Sequence, residues 1–374
     1  MKPRRRNILL IVILILLAGG WYLLAGPSSA QTASDGDGSG NAGDMLPDRP
    51  LNPVHAVSPF TVGVLLPENA KRGELARSVM QGAMLATKEI QRDALKENVR
   101  AWFKLETLEI ARDTDSVTLA ARVEVLDIDA LVCGLEHREG QCFFDVCQGL
   151  KMPLMTFNCV SPELSPDRWV FGMGLTPEAE GRAMAVFAYE DLGNSRAGVV
   201  FDAGNAGFTA MASSFRETFE SLGGNIANET DGEKLFTLNA TGSEGLSQAY
   251  GEDSDGRLFQ TSGFNPESYV ARVKGFNKRY EKLYRGIYED EDEMPPPGRY
   301  AALAYDAVWL LADAHRRSHS TLGEELKAAL SQTRDFPGVT GALSFDELHN
   351  CLRDVTILEL TGEGPVFVAT IPRD

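Results

Sequence analysis

Short apolar runs alternate with amphipathic segments between residues 60 and 222 of the chain. The stretch "FTVGVLLP" at residues 60–67 is typical of a buried parallel strand. After it, Val79, Ala83, Ala86 and Ile90 recur at spacings of 4, 3 and 4, which predicts one face of a helix. Further strands are predicted at residues 103–110, 128–133, 153–159 and 197–202, and further helices at 117–126, 142–150, 179–192 and 210–222. This alternation predicts an α/β fold with parallel sheets covered by helices.

The last third of the chain follows a different pattern. Strands are predicted at residues 257–264, 354–360 and 366–371, and helices at 269–284, 298–318 and 321–333. In the second of these helices Ala302, Tyr305, Trp309 and Ala312 share a face, which indicates core packing. The acidic run Glu289–Glu293 is predicted to be a solvated loop, because it lacks the spaced ligands and the glycine of a calcium site.

The amino terminus carries a basic, then apolar, segment. Lys2 and Arg4 to Arg6 precede residues 8–26, which contain no charged side chain and are long enough to cross a bilayer as a helix. The flanking positive charge predicts that this end stays in the cytoplasm and that the rest is exported. The apolar run exceeds the usual core of a signal peptide, so an uncleaved anchor is favoured over a signal peptide cleaved near Ala30. Residues 27–57 have the Gly, Ser, Asp and Pro-rich composition of a flexible linker.

Charge and motifs exclude several classes of function. The 374-residue chain has a net charge of −17, which argues against nucleic acid as a partner. The patterns GxxxxGK[ST], HExxH and GxSxG are absent, and the 5 histidines do not recur at metal-ligand spacing. No nucleophile–base pair has a recognisable spacing, so we expect neither an enzyme nor a cofactor or metal site.

Four stretches, taken in order, carry a resemblance to a known family. They are "VGVLLPENAKRGELARSVMQGAMLATKEI" (62–90), residues 153–207 from "PLMTFNC" to "FDAGNAG", "RYAALAYDAVWLLADA" (299–314) and "FPGVTGALSFDE" (336–347). The chain resembles the type I periplasmic binding proteins, in the leucine/isoleucine/valine-binding branch that serves ABC importers. The resemblance implies two Rossmann-like lobes with three crossings between them and a ligand held in the cleft.

The resemblance also implies a domain organisation. We expect an anchor at residues 1–26, a linker at 27–57, a first lobe at 58–175 and 266–345, and a second lobe at 176–265 and 346–374. The second lobe is predicted to be shortened. Only 33 residues, 224–256, lie where the family has two strand–helix units, which leaves room for one strand and one short helix. The family's acidic residue for a ligand ammonium group therefore has no counterpart in this sequence.

Ligand contacts are implied at the carboxyl ends of the strands. The family's first-lobe ligand loops correspond to residues 134–140 and 157–161, and the residues implied are Arg138, Glu139, Cys159, Ser161, Thr176 and Asp202. Arg138 stands where the family usually has a serine; its guanidinium could bind a carboxylate through two hydrogen bonds, or it could be a solvated loop cation. For Cys159 the favoured alternative is a buried, inert thiol. The aromatic residue that usually follows the aspartate is missing, and Phe208 is a candidate replacement.

The 5 cysteines, an odd number, leave at least one thiol unpaired. The first-lobe disulfide of the family has no counterpart here, because "ARDTDS" at residues 111–116 lacks cysteine. Cys133 and Cys159 end two strands that could be neighbours, so a bridge between them is one alternative. Cys142 and Cys147 are poorly spaced for a bridge on one helix. We expect no more than one disulfide.

Three hypotheses follow for function. The first is an extracytoplasmic solute-binding protein, anchored at the periplasmic face of the membrane or free in the periplasm, which delivers an amino acid-like amide or carboxylate to an ABC permease. The second is a non-transport sensor or scaffold in the cell envelope that keeps the same fold. The third, an enzyme, has no catalytic constellation to support it.

Overall fold

A computed structural model describes residues 59–68, 73–96, 102–111, 114–135, 143–160, 169–227, 236–240, 250–253, 255–268, 270–285 and 296–373. The predicted anchor at residues 8–26, the linker at 27–57 and the acidic run at 289–293 lie outside these ranges. Among the described helices, none is long and apolar enough to cross a membrane.

The first sheet is parallel and has the strand order β2-β1-β3-β4-β5. Its strands are β1 (Phe60–Pro67), β2 (Phe103–Ile110), β3 (Ala130–Cys133), β4 (Leu154–Thr156) and β5 (Val170–Gly172). Alternate residues of β1 enter two separate cores: Val62 and Val64 pack on one face, and Leu65 on the other. This is why the strand is apolar along its length instead of alternating with polar residues.

Helices cover both faces of the first sheet. One core contains residues of α1 (Glu74–Lys96), α6 (Ala271–Tyr284), α7 (Arg299–Ser318) and α8 (Gly323–Ser331), and the other contains residues of α2 (Ser116–Val125) and α3 (Phe144–Leu150). Ala302, Tyr305, Trp309 and Ala312 are buried in the first of these cores, which confirms the predicted helix face.

The second sheet is mixed, with the strand order β15-β14-β10-β9-β8-β6-β7. Only β6 pairs in parallel, with β7 and β8, and the other neighbours are antiparallel. The strands are β6 (Arg196–Phe201), β7 (Asn225–Ile226), β8 (Phe236–Ala240), β9 (Tyr250–Glu252), β10 (Leu258–Ser262), β14 (Val355–Thr361) and β15 (Gly364–Ile371). A third, small sheet is formed by β11 (Phe336–Gly338), β12 (Gly341–Phe345) and β13 (Cys351–Leu352).

Two helices pack on the second sheet. They are α4 (Pro177–Val186), which continues as a π-helical turn (Phe187–Asp191), and α5 (Ala206–Ser221). Their shared core is rich in phenylalanine: Phe187, Phe215 and Phe219 meet Phe236 and Phe259 of the strands. The chain passes between the two large sheets three times, before α4, after β10 and before β14.

The described part of residues 224–256 differs from the sequence-based expectation of one strand and one short helix. It contains three short strands, β7, β8 and β9, and no helix among its described residues. A glycine permits the β8–β9 pairing, since a Cβ atom at Gly251 would lie 2.0 Å from Cζ of the Phe236 ring. A weak, polar sequence pattern gave no sign of this packing.

Candidate functional site

The described parts of the predicted first-lobe ligand loops, residues 134–135 and 157–160, lie at the carboxyl edge of the first sheet. They follow β3 and β4, where ligands of open α/β sheets usually bind. Arg138 and Glu139 of the first loop, and Ser161 of the second, lie outside the described residues, so their roles stay predictions. Phe157 to Val160 of the second loop are described.

The second loop is held against the passage that leads from β5 to α4. The backbone N–H of Gly174 donates to the carbonyl oxygen of Asn158 at 3.3 Å. A Cβ atom at Gly174 would lie 2.7 Å from the carbonyl carbon of Asn158, and one at Gly172 would lie 2.7 Å from its carbonyl oxygen. Side chains at either position would push the loop away, so these glycines allow the two segments to touch.

Cys159 in this loop is half-buried. Burial is the main cause that raises the pKa of its thiol to about 11, and the negative charges of Glu180 and Glu178 raise it further. The thiol therefore stays protonated at neutral pH and is a poor nucleophile. The influence of two α4 carboxylates also indicates that this first-sheet loop lies close to the start of α4.

Thr176 is the N-cap residue of α4. Its hydroxyl oxygen accepts a hydrogen bond from the backbone N–H of Ala179 at 3.2 Å, and Pro177 occupies the first turn, where its missing N–H costs nothing. The hydroxyl can still donate its own proton. The structure thus gives Thr176 a helix-capping contact besides its predicted role with ligand.

Asp202 directly follows β6, at the carboxyl end of that strand in the second sheet. It is exposed, and its carboxylate accepts a hydrogen bond from the backbone N–H of Gly204 at 2.9 Å. Asn205 then caps α5 by accepting from the N–H of Phe208 at 3.1 Å. A Cβ atom at Gly207 would lie 3.6 Å from the Pro177 ring, so the starts of α4 and α5 are neighbours. The structure therefore brings Thr176 and Asp202 to one end of the second lobe.

Two sequence-based expectations near this site are wrong. Phe208, the candidate replacement for a missing aromatic contact, is buried in the core between α5 and the second sheet. The alternative of a Cys133–Cys159 disulfide also fails, because the Cys159 thiol is free. Cys133 is buried in a core near Cys147, whereas Cys159 lies beside the α4 carboxylates.

Cys147 and Cys351 are also free thiols, and Cys142 lies outside the described residues. Burial raises the pKa of the Cys351 thiol to about 11 and moves the pKa of Cys147 higher still. These two thiols are structural side chains of the core, with no thiolate available for chemistry near neutral pH.

Tyr300 and Arg299 at the start of α7 are site candidates that the sequence analysis missed. The Tyr300 ring lies 6.3 Å from that of Phe157, at the carboxyl edge of the first sheet. The Arg299 guanidinium lies 4.8 Å from the centre of the Tyr300 ring and donates to its hydroxyl at 3.0 Å. The sequence does contain a signal for this site, because a cation and a phenol occupy the first turn of a helix that is otherwise rich in Ala and Leu. The periodicity of the helix indicates core packing for the helix as a whole.

Behind the candidate site lies a buried set of charges that joins the two sheets. Glu180 of α4 accepts a hydrogen bond from the Thr261 hydroxyl of β10 at 2.6 Å. Arg353, which precedes β14, donates to the Thr340 hydroxyl at 3.2 Å. Glu180 and Arg353 are each 3% exposed. The Arg353 cation interacts electrostatically with the carboxylates of Glu180 and Asp306.

Asp306 of α7 anchors this set on the first-lobe side. Its carboxylate accepts hydrogen bonds from the backbone N–H groups of Val339 at 2.8 Å and Thr340 at 2.9 Å, and from the Thr340 hydroxyl at 2.6 Å. Burial raises the pKa of Asp306 to about 6, against the lowering effect of these hydrogen bonds and of Arg353. These contacts hold the turn between β11 and β12 against α7.

The candidate site offers hydrogen-bonding side chains. Among the described residues, no three His, Cys, Asp or Glu side chains are placed to hold a metal ion. The described residues place four polar side chains around one edge of each large sheet. They are the protonated thiol of Cys159, the hydroxyl of Thr176, the aspartate Asp202 and the phenol of Tyr300. Such groups recognise small polar molecules through hydrogen bonds.

Comparison with solved structures identifies the fold. A leucine binding protein from Thermotoga maritima has a TM-score of 0.57 and 19% identity, covering 84% of this chain and 99% of that one. A branched-chain amino acid transporter substrate binding protein from Streptococcus pneumoniae, in complex with isoleucine, has a TM-score of 0.59 and 19% identity, covering 85% and 100%. An ABC transporter solute binding protein from Rhodopseudomonas palustris, in complex with 3,4-dihydroxybenzoic acid, has a TM-score of 0.57 and 16% identity, covering 84% and 97%.

A family model adds evidence from the sequence. Residues 227–365 match the model described as periplasmic binding protein, whereas no curated protein matches the chain significantly. The description of that model names binding proteins, in agreement with the binding function that the sequence resemblance implies. The chain therefore has the type I periplasmic binding protein fold, and its residues 227–365 carry the match to the periplasmic binding protein family.

Proposed function

We propose that this chain binds a small solute, an amino acid or a related amide or carboxylate, in the cleft between its lobes and delivers it to an ABC permease. The observation that carries the proposal is that a loop of the first sheet lies beside the start of α4, which packs on the second sheet. The Cys159 loop of the first sheet touches the Gly174 passage and lies near the Glu178 and Glu180 carboxylates of α4. Ligands of two-lobed α/β proteins bind where such strand-end loops face each other.

The ligand class follows from the groups at this place and from the relatives. Isoleucine and 3,4-dihydroxybenzoic acid, named with two of the solved relatives, both carry a carboxylate. In this chain the implied loop residues Arg138 and Ser161 supply hydrogen-bond donors for that group. No acid is assigned to a ligand ammonium group, so the proposal covers amino acids, their amides and simple carboxylic acids.

The proposed location is the periplasmic face of the cytoplasmic membrane. Its support is the basic, then apolar, amino-terminal sequence, Lys2 to Gly26, followed by the Gly- and Ser-rich linker. An uncleaved segment would keep the protein beside its permease, whereas cleavage would release it into the periplasm. Mass spectrometry of the mature amino terminus in its native membrane distinguishes these two outcomes.

Thermal unfolding of the full chain in mild detergent, against a panel of amino acids, amides and carboxylic acids, tests the proposal. A ligand that binds only the folded state at about 100 times its Kd adds about 2.7 kcal/mol to the free energy of unfolding. We expect a rise in Tm of about 2–4 °C for one chemical class. Wild-type protein that unfolds cooperatively but responds to no compound would contradict the proposal.

Matched variants locate the binding. Tyr300→Ala removes the phenol at the start of α7 and should weaken binding about tenfold, the net value of one good contact. Tyr189→Ala is the control, because Tyr189 packs on Phe219 in the second-lobe core, away from the first-sheet edge. Equal loss of affinity in both variants would place the ligand elsewhere.

A sensor or scaffold in the cell envelope is the second candidate. One face of the second sheet favours it, because α4 and α5 pack on the opposite face and leave apolar side chains in solvent. Val200, Leu258 and Phe367 on this face are 38%, 43% and 39% exposed. A protein partner would cover such a surface. Absence of any ligand response, together with a specific complex from crosslinked membranes that is lost in Phe367→Ser, would favour this candidate.

A further inference from the structure

Asn350 is a buried side chain that grips the second ligand loop from the far end of the chain. It is 4% exposed and lies between β12 and β13. Its amide oxygen accepts a hydrogen bond from the backbone N–H of Val160 at 2.7 Å, and its amide nitrogen donates to the Val160 carbonyl at 2.9 Å. One side chain thus satisfies both backbone polar groups of a single loop residue.

The turn that carries Asn350 is itself fixed. The Asp346 carboxylate accepts hydrogen bonds from the backbone N–H groups of Leu348 at 2.8 Å and Asn350 at 2.7 Å. The N–H of Asp346 donates to the Asn350 carbonyl at 3.0 Å. Because these contacts close the turn on itself, the Asn350 side chain starts from a backbone with little freedom to move.

His349 ties the same turn to the first sheet. Its backbone adopts φ of 64°, a left-handed conformation that costs a non-glycine residue energy. The ring stacks on Phe171 at 4.1 Å and its Nε2 lies 2.8 Å from the Ser331 hydroxyl oxygen. Its carbonyl accepts a hydrogen bond from the N–H of Gly172 at 2.9 Å. These contacts offset the cost of the unusual backbone.

Three segments therefore meet at Asn350: the ligand loop, the passage from β5 to α4, and the turn before β13. The fit leaves no spare room, since a Cβ atom at Gly172 would lie 2.6 Å from the Asn350 amide oxygen. Two of these three segments lead from the first sheet towards the second. Any rotation of one lobe on the other acts close to the amide that shapes the loop.

We propose that Asn350 is a positioning residue for ligand binding. It holds the Val160 peptide units so that Cys159, the residue before them, faces the cleft, and it couples the shape of the loop to movement between the lobes. The proposal rests on the proposed function, because it assigns the described loop residues 157–160 to the ligand. Asn350 itself touches the loop and not the ligand.

The amide group is specific for this task. Val160 presents one donor and one acceptor, so its partner must offer one acceptor and one donor at matching distance. Leucine has a similar shape but neither group. An ionised aspartate would still accept from the Val160 N–H but would set a carboxylate oxygen against its carbonyl. A protonated aspartate restores the donor.

The test uses the full chain with three variants and the solute that the unfolding panel identifies. Asn350→Leu removes both hydrogen bonds, and Asn350→Asp removes the donor in a pH-dependent way. Ser331→Ala is the control, which removes a contact of His349 and a hydrogen bond to the Lys327 carbonyl but leaves Asn350 intact. Amide hydrogen exchange of the peptide that contains Val160 is measured without ligand. Ligand affinity is measured by calorimetry at pH 7.5 and pH 5.

We expect exchange at Val160 to be about tenfold faster or more in Asn350→Leu, with affinity reduced about tenfold. In Asn350→Asp the affinity should be low at pH 7.5 and recover, relative to wild type, at pH 5. Ser331→Ala should keep wild-type exchange at Val160 and wild-type affinity. Recovery with pH is a result that simple damage to the fold would not produce, and it remains measurable if Asn350→Leu does not fold.

Unchanged exchange at Val160 in folded Asn350→Leu would overturn the proposal, and so would faster exchange with unchanged affinity. Equally low affinity of Asn350→Asp at both pH values would also count against it. If wild-type protein binds no solute, the proposed function fails and the positioning role fails with it. If wild type binds and the variants bind equally well, only the positioning role fails.

Discussion

At the scale of single residues, His315 illustrates how packing sets a protonation state. Its ring stacks on Phe60 at 4.5 Å and on Trp102 at 5.3 Å, and its Nδ1 lies 2.8 Å from the carbonyl oxygen of Ser320. Burial in this aromatic site lowers the pKa of His315 below its ordinary value, because the charged ring would lose its hydration. The neutral ring is therefore part of the folded core.

The lowered pKa predicts a stability change with pH. As pH falls through the ordinary histidine value of about 6.5, His315 takes up a proton in the unfolded chain but resists it in the folded one. This group therefore reduces the free energy of unfolding on acidification. In His315→Phe, which preserves stacking, we expect a smaller loss between pH 7.5 and pH 5.5, measured by urea unfolding of both proteins. Identical losses would show that His315 does not carry the effect.

At the scale of elements, both lobes contain a helix pair that meets at a glycine. A Cβ atom at Gly82 of α1 would lie 2.0 Å from the carbonyl oxygen of Ala301 of α7. In the second lobe, a Cβ atom at Gly181 of α4 would lie 2.2 Å from the carbonyl oxygen of Met211 of α5. Backbone atoms cannot yield as a flexible side chain can, so these glycines set the distance between the helices.

Gly181→Ala should therefore destabilise the protein by about 1–3 kcal/mol or more, because α4 and α5 must separate. Gly149→Ala is the matched control: this glycine is also helical, in α3, but a Cβ atom there would meet nothing within 4 Å. Alanine at that position should be neutral or stabilise by up to about 1 kcal/mol through helix propensity. Chemical unfolding of the two variants tests the contrast, and similar effects would disprove the close-contact explanation.

At the scale of the whole molecule, Arg353 links the lobes through buried charge. Its cation interacts electrostatically with the Asp306 carboxylate of the first lobe and with the Glu180 carboxylate of the second. A nearby buried cation offsets part of the desolvation cost of buried carboxylates. The lobes are thus joined by electrostatics as well as by the three chain passages.

Arg353→Met should lower the free energy of unfolding by about 1–3 kcal/mol at pH 7.5, because it removes the hydrogen bond to the Thr340 hydroxyl and takes a buried cation away from two buried carboxylates. The loss should be smaller at pH 5, where the carboxyl of Asp306, whose pKa is already raised to about 6, takes up a proton. Arg92→Met is the control, since the Arg92 side chain is 55% exposed. Denaturant unfolding at both pH values checks this, and a loss that does not depend on pH would contradict it.

Sequence patterns located the regular elements where local signals are strong. The strand predicted at residues 103–110 is β2, residue for residue, and the helix predicted at 298–318 is α7 within one residue. Weak patterns failed where packing against distant residues decides the conformation. The short strands β7 and β8 depend on pairing with β6, and β9 depends on space made by Gly251 beside Phe236.

The candidate site was only partly accessible from the sequence. The family resemblance pointed to Cys159, Thr176 and Asp202, and the structure brings the surroundings of the first two together through the Asn158–Gly174 contact. Tyr300 was missed because helical periodicity reports which face is buried and not which end meets the sheet edge. Asn350 was missed because its partner lies 190 residues away.

The sequence by itself determined the alternation of strands and helices, the acidic balance and the absence of catalytic motifs, since each depends on local composition and spacing. The tertiary structure alone decided which buried charges meet and which loop is clamped. Glu180, Arg353 and Asp306 are brought together from three separate segments, and Asn350 reaches Val160 only after the chain has passed between the lobes twice. Contacts between distant segments depend on how the elements pack, and local sequence patterns do not encode that packing.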